Sequence, residues 1–247
     1  YMNDRIREFA QILNDSKSVA VLTGAGVSVP SGIPDFRSPN GLYSRYGQEI
    51  FDIDFFNSNP EKFYEFAREG LFEMLDSQPN IVHKFLAQLE RAGVVKGVVT
   101  QNIDGLHTKA GSVNVAEIHG TVRTWHCIKC MKRYGILDEQ QKELLISRNF
   151  RCTCGGLTKP DIVFFGEMLP MEEYRKAELW SSECDTFIAM GTSLLVYPAA
   201  QLPVYALRKG AKLLIVNKGH TGLDEYAYLK IDMDLEEFVR QITTYLA

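Results

Sequence analysis

The sequence predicts an α/β fold, a parallel sheet with helices on both faces, and three observations predict it. Short apolar, β-branched runs recur at 19–23, 94–100, 115–118, 161–165, 186–190 and 212–216, and each reads as a buried strand. Between them lie segments of helical period at 4–13, 60–75, 81–92, 172–180, 198–208 and 235–245. Strands buried on both faces and alternating with helices imply a covered parallel sheet. Several strand runs also stop at a polar or glycine cluster: Gly24, Gln101, His119, Gly191 and Asn217. In such sheets ligands sit beyond the carboxyl ends of the strands, so these clusters are expected to converge on one cleft.

In chain order, Ile6, Phe9, Ala10 and Leu13 form one face of the first helix. The run 19–23 follows, and Gly24-Ala25-Gly26 then turns the chain sharply. Residues 38–57, rich in Gly, Pro, Asn and Tyr, read as a long, partly mobile loop of the kind that closes over ligands. Phe63, Phe66, Ala67 and Leu71 share a side of the helix at 60–75, and Gly93 ends the helix at 81–92. The strand at 94–100 leads into Gln101-Asn102-Ile103-Asp104, and the strand at 115–118 leads into His119-Gly120. Residues 121–160 are basic and cysteine-bearing and interrupt the alternation, so they read as a small inserted module. The alternation resumes at 161–165 and continues to the closing helix at 235–245.

At 247 residues the chain can bury one large core with a small insert, and 45% apolar with 23% charged residues is a globular composition. A net charge of −4 implies no broad basic face for nucleic acid. No apolar run is long enough to span a bilayer, and the opening residues show no secretory-signal pattern, so the cytoplasm is the expected compartment.

Five cysteines include two tight pairs, Cys127/Cys130 and Cys152/Cys154, with 21 residues between them. Two pairs at about this separation form a zinc-ribbon pattern, and four thiolates would close a tetrahedral structural site. A redox pair or unliganded thiols are the alternatives. His126 reads as an exposed loop histidine beside that site, and Cys184 as a small buried apolar residue.

The glycine turn departs from the dinucleotide fingerprint, since Val29 holds the third glycine position. It is either an ordinary strand-to-helix turn or a diphosphate cradle made of backbone N–H groups. Asp35, Phe36 and Arg37 place an acid, an aromatic face and a cation just beyond it. His119 is either structural or a general base, since neutral imidazole suits proton removal near pH 7. Asn102 and Asp104 serve either as turn residues or as ligand contacts, and Ser193 and Asn217 either as helix caps or as ligand contacts.

Taken together, Gly24-Ala25-Gly26-Val27-Ser28, Gly32-Ile33-Pro34-Asp35-Phe36-Arg37, Thr100-Gln101-Asn102-Ile103-Asp104, His119-Gly120, the cysteine pairs, Phe165-Gly166-Glu167, Gly191-Thr192-Ser193 and Val216-Asn217 resemble the sirtuins, the NAD-dependent protein lysine deacylases, in the bacterial and archaeal core form. The resemblance implies a Rossmann-like NAD-binding unit at 1–120 and 161–247 with a loop and helical insert at about 38–78, and a zinc-ribbon module at 121–160. NAD would be consumed as a co-substrate, and zinc would be structural. Gly24, Ala25 and Gly26 would meet the diphosphate; Phe36 and Arg37 would border the nicotinamide ribose. Ile103 and Asp104 would bind the carboxamide, and Gln101 and His119 would face the ribose hydroxyls. Gly191, Thr192, Ser193 and Asn217 would serve the adenosine half, with the Lys218 backbone at the adenine.

The resemblance also makes His119 the catalytic base, with Asn102 positioning ribose and water. The acyl oxygen would displace nicotinamide, and a ribose hydroxyl would then attack the resulting alkylimidate. The partner is an acetylated protein or peptide, adding as a strand between Val163, Phe165, Gly166 and Glu167 on one side and Leu194 and Val196 on the other. In the branch that removes succinyl groups, a Tyr and an Arg on the helix at 60–75 bind the extra carboxylate. Ala67 and Gly70 stand there in this chain, which implies a preference for non-acidic acyl groups. Two other functions remain open on sequence: mono-ADP-ribosyl transfer on the same fold, and a non-catalytic NAD- or nucleic-acid-binding module.

Overall fold

The computed structural model describes residues 2–35 and 39–246. The chain opens with α1 (Met2–Asp15) and β1 (Val19–Thr23), followed by two 3-10 turns at Ala25–Val27 and Val29–Ser31. Then come α2 (Leu42–Tyr46), α3 (Ile53–Ser58), α4 (Pro60–Phe66), α5 (Glu73–Asp76), α6 (Ile81–Arg91) and β2 (Val95–Thr100). Next are α7 (Leu106–Lys109), β3 (Val115–Glu117), β4 (Gly120–Cys127), β5 (Arg133–Gly135), α8 (Glu139–Ser147) and β6 (Thr158–Ile162). The chain closes with α9 (Met171–Glu183), β7 (Thr186–Met190), α10 (Leu202–Arg208), β8 (Lys212–Val216), β9 (Leu229–Ile231) and α11 (Leu235–Ile242).

Among the described residues, six strands form a parallel sheet in the order β3-β2-β1-β7-β8-β9. Renumbered within the sheet this is 3-2-1-4-5-6, the doubly wound dinucleotide-binding order. Period-2 alternation explains the two covered faces. Val19 and Val21 point to one side with Val98, Ile188, Met190, Leu214 and Val216, where α1, α6 and α11 pack. Ala20 and Leu22 point to the other with Val99, Phe187, Ala189, Leu213 and Ile215, beneath α9 and α10. Two of the helices on the first face, α6 and α11, start on side-chain caps: Asn80 accepts the Val82 N–H, and Asp234 accepts the Glu236 and Glu237 N–H groups. Each such cap stabilises its helix by about 1 kcal/mol.

A separate antiparallel sheet, β5-β4-β6, carries the cysteine pairs. The strand expected to begin at 161 begins at Thr158 and pairs with β4, so the resumption of the main sheet is delayed to β7. The expected mobile loop at 38–57 contains α2, a 3-10 turn at Gln48–Phe51, and α3. Asp52 caps α3 by accepting the Asp54 and Phe55 N–H groups, and Leu42, Ile50, Phe51 and Phe56 are buried. These side chains join an aromatic cluster of Phe63, Tyr64, Phe66, Trp125, Phe150 and Phe164 that also includes Cys127 and Cys152. Insert and cysteine module thus share one core. The helix expected over 60–75 is broken by a π-turn at Ala67–Leu71. Among the described residues, no helix is long and apolar enough to cross a membrane.

Candidate active site

The sheet order reverses between β1 and β7, and the two strands end side by side at Gly24 and Gly191. The Gly26 N–H donates to the Gly191 carbonyl at 3.0 Å. A Cβ on Gly26 would lie 2.8 Å from Gly191 Cα, and one on Gly191, whose φ is +61°, would lie 2.7 Å from the Val27 nitrogen. The switch point is therefore backbone against backbone, and only glycine allows that approach. The turn after β1 is 3-10 and not the expected helix start.

A cavity of about 720 Å³ opens above this point, the size of a small-molecule site. Gly24, Ala25, Gly26, Gln101, Asn102, Ile103, His119, Gly191, Thr192, Ser193, Asn217 and Lys218 line it, as do Val163, Phe165, Gly166, Glu167 and Val196. Two predicted contacts do not: Asp104 lies buried just behind the wall, and the Leu194 side chain is buried. Phe36 and Arg37 fall outside the described residues. Asp35, His220, Met233, Asp234 and Leu235 also line the cavity and were not assigned to it from sequence.

Adjacent strand ends are tied together by side chains. The Gln101 amide donates to Thr192 Oγ1 at 2.9 Å, joining the end of β2 to the end of β7 across β1. His119 Nδ1 lies 3.1 Å from the Gln101 carbonyl, which can only accept, so Nδ1 carries the proton and Nε2 keeps its lone pair. Burial holds His119 below the usual imidazole range, although the Gln101 bond opposes that shift. The imidazole is therefore neutral at pH 7 and able to take a proton.

Behind the cavity wall is a polar network centred on Ser28. Its hydroxyl donates to Asp104 Oδ2 at 2.6 Å and accepts from Asn102 Nδ2 at 3.2 Å. Asn102 Nδ2 also donates to the Gly24 carbonyl at 3.0 Å. His83 Nδ1 accepts the Asn80 N–H, so its Nε2–H is the donor that reaches Ser28 at 3.3 Å. Burial depresses the His83 pKa to about 4, consistent with that neutral tautomer. Burial raises the Asp104 carboxyl above its usual range, opposed by bonds from Ser28 and the Leu106 N–H. His107 Nε2 reaches Thr23 Oγ1 at 2.8 Å, beneath the same floor. Ser28 stands in the glycine motif but was given no role from sequence, and neither His83 nor His107 was given one. The one local trace is Asn80-x-x-His83, which reads as a helix cap.

The four paired cysteines place their sulfurs within 4.8 Å of one another, with Cys127 to Cys154 at 3.5 Å and Cys130 to Cys152 at 3.6 Å. Tetrahedral zinc with Zn–S of about 2.3 Å needs S···S of about 3.8 Å, so the cluster fits zinc. The Tyr134 hydroxyl lies 3.1 Å from Cys152 Sγ, and the Cys130 N–H lies 3.5 Å from Cys127 Sγ. Both are donors suited to thiolate charge. His126 is not an exposed loop residue. It lies in β4 and bonds Asp161 Oδ1 through Nδ1 at 2.6 Å, facing away from the thiols.

The fold and site together define a doubly wound dinucleotide-binding protein with a closed four-cysteine zinc module. The Sir2 family model matches residues 24–198, and the chain belongs to that family. An NAD-dependent protein deacetylase of Thermotoga maritima is 49% identical over 96% of this chain and 97% of its own length. One of Sulfolobus acidocaldarius is 39% identical over 100% and 97%. Among solved structures, a Sir2 with p53 peptide and NAD+ superposes with a TM-score of 0.90 at 48% identity, covering 97% of each chain. A Sir2 histidine-to-alanine variant with deacetylated p53 peptide and 3′-O-acetyl ADP ribose gives 0.91 at 49%, again over 97% of each.

Proposed function

We propose that this chain is an NAD-dependent protein lysine deacetylase that converts acetyl-lysine, NAD and water to lysine, nicotinamide and O-acetyl-ADP-ribose. The observation that carries the reading is His119: a neutral imidazole with Nδ1 bound to the Gln101 carbonyl, at the wall of a cavity that begins on the β1–β7 glycine pair. The Gly24-Ala25-Gly26 turn presents backbone to the diphosphate. Gln101 and His119 face the nicotinamide ribose, bordered by Phe36 and Arg37. Ile103 takes the carboxamide at the cavity wall, and Asp104, which Ser28 and Leu106 hold just behind that wall, completes the carboxamide subsite. Gly191, Thr192, Ser193, Asn217 and the Lys218 backbone take the adenosine half.

The acetyl oxygen attacks the ribose carbon as nicotinamide leaves. His119 Nε2 then removes a ribose hydroxyl proton, and that oxygen adds to the imidate. Asn102, fixed by its bond to the Gly24 carbonyl, positions ribose and water. The peptide pairs along Val163, Phe165, Gly166 and Glu167 and along Leu194 and Val196; at Leu194 the contact is main-chain, because the side chain is buried. Zinc held by Cys127, Cys130, Cys152 and Cys154 supplies structure alone, since four thiolates leave no open position.

In this reading the NAD-binding unit takes residues 1–120 and 161–247, with the insert at about 38–78. The zinc module takes 121–160, and β6 runs across the second boundary. The reducing cytoplasm is the compartment it implies, and nucleic acid is not a ligand. The test is nicotinamide release from NAD measured with an acetyl-lysine peptide and with its unacetylated form. Release that depends on the acetyl group is expected; equal release with both peptides would overturn the reading.

A further inference from the structure

The segment that presents an edge to the peptide is short, and much of what holds it comes from one buried side chain. From Val163 to Glu167 the chain forms no regular element. On one side it bonds to the insert: the Phe165 N–H donates to the Phe51 carbonyl at 2.7 Å and the Ile53 N–H to the Phe165 carbonyl at 3.1 Å. At its start the Val163 N–H donates to the His119 carbonyl at 2.9 Å, so the segment is also continuous with the base. Phe165 and Glu167 are themselves exposed.

Behind it lies Lys159 on β6, whose side chain is only 4% exposed. Lysine is almost never buried without partners, and here the partners all belong to this stretch of chain. The ammonium donates to the Ile162 carbonyl at 2.6 Å and the Pro160 carbonyl at 3.2 Å, and it pairs with Glu167 Oε2 at 2.9 Å. It also sits 4.1 Å from the centroid of the Phe164 ring. Glu167 Oε2 in turn accepts the Phe164 N–H at 2.8 Å. One cation therefore gathers both ends of the 162–167 turn and the ring between them. A buried charge with this many directional partners fixes one geometry and is lost only at large cost.

We infer that Lys159 is a positioning residue for the deacetylation reaction, anchoring the 163–167 segment so that its edge is pre-formed for the substrate main chain. The inference rests on the proposed strand-like binding of the peptide. Preorganisation of this kind acts on peptide affinity, because the ordering of the segment is completed before binding. It leaves the NAD subsites on β1, β2, β7 and β8 untouched.

The test uses the zinc-loaded full chain. Lys159→Met keeps the length and removes the charge and donors; Lys159→Arg restores both; Glu167→Gln keeps the shape and removes the carboxylate. KM for an acetyl-lysine peptide, KM for NAD and kcat are measured for each, with peptide affinity in the absence of NAD. A tenfold or greater rise in peptide KM is expected for Lys159→Met, with NAD KM and kcat within threefold of the parent. At least half of that loss, on a logarithmic scale, is expected to return with Lys159→Arg. Glu167→Gln, which keeps the protein assayable if Lys159→Met does not fold, is expected to raise peptide KM threefold or more. Unchanged peptide KM in a folded variant, or equal loss in both KM values and kcat, would overturn the inference. A peptide with N-methylated main chain flanking the acetyl-lysine separates the two ideas. If it binds as well as its parent, the strand-like reading fails and the inference falls with it. If it binds weakly while the Lys159 variants bind normally, the inference alone fails.

Discussion

Ser28→Ala removes the hub of the network behind the cavity wall, and its consequences follow from three bonds. The 2.6 Å bond to Asp104 is charge-assisted, and hydrogen bonds to charged groups contribute about 1.5–3 kcal/mol. His83 Nε2–H is left buried without an acceptor, which costs about 1–3 kcal/mol. Asn102 loses a 3.2 Å contact but keeps the Gly24 carbonyl, so its share is small. The expected destabilisation is about 3–5 kcal/mol, a large part of the ~5–15 kcal/mol that folds an ordinary domain. Asp104 also loses a donor that opposed its burial, so its carboxyl pKa rises further. Since Asp104 backs the carboxamide subsite from behind the wall in the proposed site, nicotinamide inhibition weakens by about tenfold or more, the equivalent of about 1.4 kcal/mol. Urea unfolding at pH 7 reads the first effect and nicotinamide inhibition of peptide deacetylation the second. A stability loss under about 1 kcal/mol with unchanged nicotinamide inhibition would show that the network does not carry the load assigned to it.

Four further outcomes are expected. His119→Ala lowers kcat by about 10²–10⁴ while NAD affinity largely survives, checked by steady-state kinetics and calorimetry; near-normal turnover would refute the assignment. Elemental analysis finds one zinc per chain, and a strong chelator lowers both Tm and activity, because Cys127 and Cys152 belong to the same core as Phe63 and Phe164; active protein with no bound metal would rule the site out. Acetyl peptide exceeds succinyl peptide in kcat/KM by about a hundredfold or more, since an unpaired buried carboxylate costs several kcal/mol. Arg68 supports this, because its guanidinium lies over the Phe150 ring and bonds Asn149, outside the cavity. Finally, His83 titrates near 6.5 when unfolded and about 4 when folded, so its contribution is complete above pH 6.5 and is lost as pH falls towards 4. By pH 5 the loss is about 2 kcal/mol, and His83→Gln is expected to show correspondingly less acid sensitivity in urea unfolding at pH 7 and pH 5.

What the sequence disclosed and what it hid divide along the range of the interactions. β1, β7 and β8 were legible to the residue, because a strand buried on both faces is an uninterrupted apolar run. The polar clusters after them were legible for the same reason: each interrupts such a run. β9, with three residues, is too short to carry a period. The helices at 42–58 were hidden because their composition is that of a loop; the aromatic cluster around Phe51 and Phe56 and the Asp52 cap make them helical. The π-turn left the side chains of 60–75 on the expected face, but in a second layer: no residue of that helix lines the cavity among the described residues. Phe51, Tyr43, Ile103, Ile162 and Phe164 form its apolar wall instead. Ser28, His83 and Asp104 are 55 to 76 positions apart along the bonds that join them, and no local pattern marks such a meeting.

The central claim is that NAD is consumed as the acyl acceptor. Mass spectrometry of the products from an acetyl-lysine peptide and NAD tests it most directly. For each lysine freed, one nicotinamide and one O-acetyl-ADP-ribose are expected, with the acetyl group found on the ribose. Free acetate formed without loss of NAD, or a peptide heavier by one ADP-ribose, would contradict the account.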